Sequence, residues 1–150
     1  MVEEKEIKGY IEHINSLGED DFQDHVQELW ERNGLLLEYC ELIMEEECED
    51  YEYLLDFHIS TLVFLLMEED LLTEIKDNDW LEDQEEVFLN LYGDVAEEKI
   101  ALNEITGEKN IVDAFTQLIS NDEELNEDEQ GLVFTVALFV LYIAKVSGGK

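Results

Sequence analysis

Positive charge is the scarcest feature of this chain. Eight Lys and Arg residues face 41 Asp and Glu, a formal net charge of −33 over 150 residues. A surface of that sign repels nucleic acids and anionic membranes, so neither is expected as a direct partner. Proline is missing altogether, and no Gly/Ser-rich stretch appears before the terminal Ser-Gly-Gly-Lys. Without linker signals, residues 1–150 read as a single acidic helical domain, with 147–150 as a flexible tail. Cys40 and Cys48 are the only cysteines, and their spacing fits no zinc or redox pattern. The opening MVEEKEIKGY lacks the apolar segment of a signal peptide. A reducing, cytoplasmic setting is therefore expected, with both cysteines acting as small apolar side chains.

Catalytic signatures are missing as well. His13, His25 and His58 are far apart, and no HExxH, Walker loop, GxSxG or GxGxxG is present. An EF-hand loop needs oxygen ligands at positions 1, 3 and 5 and glycine at 6. Asp77 and Asp79 supply the first two, but Leu81 and Glu82 break the rest, and the acidic run after Asp122 fails in the same way. A carboxylate di-iron site uses Glu-x-x-His, and no Glu stands three residues before any His. No enzyme activity, cofactor or dedicated metal site is expected. His58, on an apolar face, reads as a hydrogen-bonded core residue, and His13 and His25 as surface residues among carboxylates.

What is present is enough to build a core. Apolar residues make up 45% of the chain, with 7 Phe, 6 Tyr and 2 Trp, unlike a disordered acidic tail. Leu132 to Ala144 carries no charged side chain. It falls short of the roughly 20 apolar residues that span a membrane and reads as the buried helix of a bundle. Ile7, Ile11, Ile14 and Leu17 define a first helix over 3–17, ended by Gly18. Phe22, Val26, Leu29 and Trp30 define a second over 20–33, stopped by Asn33-Gly34, with helix resuming over 35–47. In 51–75, Leu54, Leu55, His58, Ile59, Leu62, Val63 and Leu66 share a helical face. The alternation Tyr51, Tyr53, Leu55, Phe57, Ile59 leaves a strand open there. Asp77-Asn78-Asp79 caps a helix over 80–92, which Gly93-Asp94 breaks. A shorter helix over 95–105 ends before Gly107, Asn110 caps 111–119, and Asn126 with Glu129 opens the last helix as a capping box. The expected fold is all-α, a bundle of about seven helices around the apolar C-terminal helix.

The acidic residues are clustered. Glu45, Glu46, Glu47, Glu49, Asp50 and Glu52 crowd into eight positions, and Asp122, Glu123, Glu124, Glu127, Asp128 and Glu129 precede the last helix. Asp77, Asp79, Glu82, Asp83, Glu85 and Glu86 form a third group, and Glu19, Asp20, Asp21 and Asp24 a fourth. Between Gly9 and Ile75, Arg32 is the only cation against 20 acidic residues. Carboxylates three or four positions apart on a helix stand about 5–6 Å from one another, a spacing comparable to that of backbone phosphates. Rows of them can occupy a phosphate-binding groove and speed encounter with a basic protein. In size, charge and single-domain character the chain resembles DNA-mimic proteins and the immunity proteins of nuclease toxins. That resemblance implies an acidic inhibitor of a basic nuclease or nucleic-acid-binding protein, above all an immunity protein. The alternatives are a phage- or plasmid-type DNA mimic, an adaptor whose basic partner has no link to nucleic acids, and a solvated acidic surface without a partner. A salt-adapted composition would favour Asp and Ala, whereas there are 28 Glu, 13 Asp and 5 Ala here. The candidate contact residues are the carboxylates of the 45–52 and 122–128 runs with Asp77, Asp79, Glu82 and Asp83. Tyr51, Tyr53 and Trp80 are candidate aromatic anchors, with core packing as the competing role for each.

Overall fold

The computed structural model describes residues 2–49, 51–96 and 106–147. Every regular element among them is helical: α1 (Glu4–Ser16), α2 (Glu19–Glu47), α3 (Tyr51–Tyr53), a π-helical segment (Leu54–Ile59), α4 (Ser60–Glu68), α5 (Asn78–Ala96), α6 (Lys109–Ser120) and α7 (Glu127–Ser147). The all-α class holds. Taking 51–68 as one run, the described residues form six helices, against about seven expected.

Several boundaries differ from the sequence pattern, each for a local reason. Asn33-Gly34 does not stop α2 but kinks it: Asn33 leaves helical geometry at φ −151, ψ 49. Its side chain is fully buried, donating from Nδ2 to Thr73 O at 3.1 Å and accepting Ile75 N–H on Oδ1 at 3.0 Å. The amide thus satisfies two backbone groups of the 69–77 connection that no helix or sheet would satisfy. Gly18 is the extended residue that opens α2 (φ −69, ψ 167), not a left-handed stop for α1. Helix α5 continues through Gly93 to Ala96. A single glycine inside a helix costs only about 1 kcal/mol, too little to end a helix whose other face is packed. Asn110 does not cap α6; the helix begins at Lys109, and the Asn110 amide donates to Val2 O at 3.0 Å, tying down the N-terminus. The expected helix over 95–105 lies largely outside the described residues. Of the expected flexible tail, Ser147 belongs to α7, and 148–150 lie outside them.

The 51–75 region is helical, not a strand, and ends earlier than its apolar content implies. Its apolar-face residues recur at steps of four (54/55, 58/59, 62/63, then 66), with Ser60, Thr61 and Leu65 buried beside them. An α-helix advances about 100° per residue, so a four-residue step overshoots a turn by about 40°. Wider π-helical turns over Leu54–Ile59 absorb that drift and keep Leu54, Leu55, His58 and Ile59 all buried. The Thr61 hydroxyl donates to Phe57 O on the preceding turn. After Glu68 the chain closes in a Schellman motif. Asp70 adopts the left-handed region at φ 57, Leu71 N–H bonds Leu66 O at 2.8 Å, and Asp70 N–H bonds Met67 O at 3.1 Å. Leu72 and Ile75 are then buried from non-helical chain.

Two start signals hold. Asp77 Oδ1 accepts Trp80 N–H at 3.1 Å at the head of α5. At α7, Glu129 N–H reaches Asn126 Oδ1 at 2.8 Å while Asn126 N–H reaches Glu129 Oε1 at 3.1 Å, a complete capping box. Helix α7 buries Val136 to Ala144 without a break and packs against α2, the π segment, α4, α5 and α6. Each Leu, Ile, Val or Phe buried there contributes about 1.5–3 kcal/mol. With its acidic first turn, α7 is 21 residues long, and by length and composition alone it could cross a membrane. Over half of its apolar window is instead buried within the protein.

Candidate acidic interaction surface

Two acidic runs about 75 residues apart in the chain meet on one face. The join is Asp122, half-buried in the connection between α6 and α7. One of its oxygens, Oδ2, accepts hydrogen bonds from Tyr53 Oη and from His58 Nε2, each at 2.8 Å, and Oδ1 accepts Glu124 N–H at 3.0 Å. His58 is 1% exposed and belongs to the π segment, whose wide turn sets it beside Tyr53 and Phe57. Tyr53 lies flat on Phe57, with ring centroids 5.8 Å apart and planes 4° apart. Single π-helical turns inside helices occur frequently at functional sites.

Electrostatics at this join are specific. Burial pushes the His58 pKa below its ordinary value, and the Asp122 hydrogen bond only partly offsets that. Burial alone would raise Asp122, but hydrogen bonds from His58, Tyr53 and the Glu124 backbone outweigh it and hold the carboxyl below the usual range. At neutral pH the pair is a neutral imidazole donating to a carboxylate, so no cation cancels the negative charge. Tyr53 is held protonated by burial and by its bond to Asp122.

Around the join, Glu49, Glu52, Tyr53, Glu124, Leu125 and Glu129 line a groove of about 370 Å³. Cys48 Sγ lies 3.6 Å from Oε2 of Glu129. The carboxylates of α2 and the π segment also feel one another. Glu41 is raised by burial and then by Glu45, Glu38 and Glu52, and Asp56 by burial and then by Glu52 and Glu41. Tyr51 is raised by burial and then by Glu45, Glu41 and Glu52. Glu45, Glu46, Glu47, Glu49, Glu52, Glu123, Glu124, Glu127 and Asp128 are all exposed, and Asp50 lies outside the described residues.

The candidate aromatics separate. Tyr53 is exposed at 38% and sits at the groove; Tyr51 is half-buried against the core. Trp80 also packs against the core and borders a different groove of about 480 Å³, with Lys76, Asp77 and the 70–75 connection. Asp77, Asp79, Glu82 and Asp83 are exposed along the start of α5, and Glu82 accepts from Asn78 Nδ2 at 3.3 Å. Asp77 lines that second groove, and none of the four lines the Tyr53 groove. Leu125 lines the Tyr53 groove without any signal in the sequence, and Glu129, part of the acidic run before α7, lines it as well. Groove lining depends on contacts between segments far apart in the chain, which residue spacing does not show. His58 is a hydrogen-bonded core residue as expected. His25 is half-buried, edge-on to Phe64 at 4.6 Å, which departs from the surface role expected for it.

Comparison of the chain with protein-family profiles, with curated proteins and with solved structures gave no match.

Proposed function

We propose that this protein is an acidic inhibitor that binds a basic protein and covers its nucleic-acid-binding or nuclease surface, acting as an immunity protein toward a toxin. The observation that carries the reading is the convergence of the 45–52 and 122–129 runs on one face, tied by the Tyr53–Asp122–His58 hydrogen bonds. A diffuse acidic coat needs no such join. A carboxylate array held in place can meet a phosphate-binding groove without first being ordered, which lowers the cost of association. Tyr53, flat on Phe57 at the groove, is an aromatic anchor within an acidic ring. The reading places the protein in the cytoplasm, where Cys40 and Cys48 remain thiols.

The test is capture from host lysate on the immobilised protein at low salt, elution with a salt gradient, and identification by mass spectrometry. The recovered protein is then assayed for nuclease or nucleic-acid-binding activity with and without this chain. One nuclease, held to high salt and inhibited stoichiometrically, is the expected result. Several DNA-binding proteins released together at moderate salt would replace immunity with general DNA mimicry. A recovered partner whose activity is unaffected would leave only an adaptor role, and recovery of no basic protein would overturn the proposal.

A further inference from the structure

A separate pocket of about 420 Å³ opens between α1 and the end of α4, lined by Glu6, Gly9, Tyr10, His13, Phe64 and Glu69. The α1 members recur every three or four residues and so share one face. Phe64 is the hub of its aromatic wall: the Tyr10 ring stands edge-on to it at 5.9 Å, His13 stacks at 6.5 Å, and His25 from α2 meets it edge-on at 4.6 Å. A side chain at Gly9 would meet nothing within 4 Å, so the pocket is open there.

Against this wall stand the carboxyl groups of Glu6 and Glu69. The Glu69 pKa is raised, chiefly by the neighbouring Glu6 carboxyl, then by burial, Asp70 and Glu108. The Tyr10 hydroxyl, raised by burial and then by Glu69, Glu68 and Glu6, also stays protonated. His25 supplies no competing charge, because burial, with His13 and Arg32 acting the same way, lowers it despite Glu28 and Glu68. Two carboxyls, the Tyr10 phenol and the rings of His13 and Phe64 therefore line one space, with the His25 ring set against Phe64. A guanidinium matches this set better than an ammonium, since it is planar, weakly hydrated, stacks on rings and offers five donors to two carboxylates.

We propose that this pocket binds an arginine side chain presented by the basic partner. The proposal rests on the inhibitor reading: the Tyr53 face steers the partner, and the Phe64 pocket adds one specific contact. The guanidinium is held by the carboxylate form of Glu69, so binding weakens as acid protonates that group.

N-acetyl-arginine methylamide, titrated into isotope-labelled protein and followed by NMR, provides the test. Shifts centred on Tyr10, His13 and Phe64 are expected, larger than with N-acetyl-lysine methylamide. The double variant Glu6→Gln/Glu69→Gln should weaken the arginine probe by about tenfold, and Phe64→Leu, which keeps the bulk, by about threefold. Asp20→Asn/Asp21→Asn removes the same net charge elsewhere and should change binding less than about twofold. Shifts spread over all acidic faces, or equal weakening by both double variants, would overturn the pocket. If a partner is captured and Glu6→Gln/Glu69→Gln leaves its dissociation rate unchanged, the pocket proposal fails while the inhibitor reading stands. If the arginine probe binds as described but no basic protein is captured, the inhibitor reading fails, and with it the partner as the source of the arginine.

Discussion

Asp122 holds three hydrogen bonds on one carboxylate, and one of their donors, His58 Nε2, is buried. Asp122→Ala leaves that imidazole without its acceptor and should cost about 1–3 kcal/mol in urea unfolding, whereas Tyr53→Phe, which removes an exposed bond, should cost about 1 kcal/mol or less. Equal costs would mean that the His58 bond adds nothing beyond a surface contact. The same pair sets a pH dependence. His58 is held below its ordinary 6.5, so the folded protein binds fewer protons there than the unfolded chain. Its contribution is therefore complete above 6.5 and is lost as pH falls below that value toward the folded pKa. His25 acts in the same direction, and Asp122, held below 3.8, loses its contribution only in stronger acid. Glu41, Asp56 and Glu69 are raised, so they oppose this loss as pH falls through their folded values toward the ordinary 3.8 to 4.5. Melting temperature should thus fall between about pH 7.5 and 5.5, and His58→Gln should flatten that slope. Parallel slopes for the two proteins would show that His58 titrates alike in the folded and unfolded states.

At the scale of elements, the two asparagines that interrupt or start helices are not equivalent. Asn126 caps α7 from an exposed position, and Asn126→Ala should cost about 1 kcal/mol. Asn33 is buried and satisfies Ile75 N–H and Thr73 O, so Asn33→Ala should cost more, about 2–4 kcal/mol, because it orphans both groups. Denaturant midpoints of the two variants check the order, and a reversed order would place the strain of the kink above the value of its hydrogen bonds. Sequence reading found the Asn126 box because both partners lie within one turn. It took Asn33-Gly34 for a stop because the groups Asn33 serves lie 40 or more residues away. The π segment was hidden in a similar way: its four-residue spacing was visible, but only packing on both sides of 54–66 decides that every member of it is buried.

Across the whole molecule, a charge of −33 works against compactness. Raising NaCl from about 10 mM to 0.5 M should lift the melting temperature by about 3–8 °C, since the Debye length shrinks below the spacing of neighbouring clusters. A flat response would mean that bound counterions already neutralise the surface. Replacing Glu45, Glu46, Glu47 and Glu49 together by Gln should leave folding intact or more stable, and should slow association with the captured partner by about tenfold at low salt. Unchanged association kinetics would remove that run from the contact surface.

Composition and periodicity alone determined the helical class, the start of α7 and the core placement of His58, because each follows from apolar spacing or from partners within one turn; of the apolar run Leu132–Ala144, the structure buries Val136–Ala144 and leaves Leu132, Phe134 and Thr135 half-buried. The tertiary structure alone decided which acidic runs share a face, since that depends on Asp122 meeting Tyr53 and His58 across 64 and more residues. It also decided that Glu6 and Glu69 meet beside Phe64. Like charges carry no pairing signal in a sequence; only the packing of the helices that bear them brings them together.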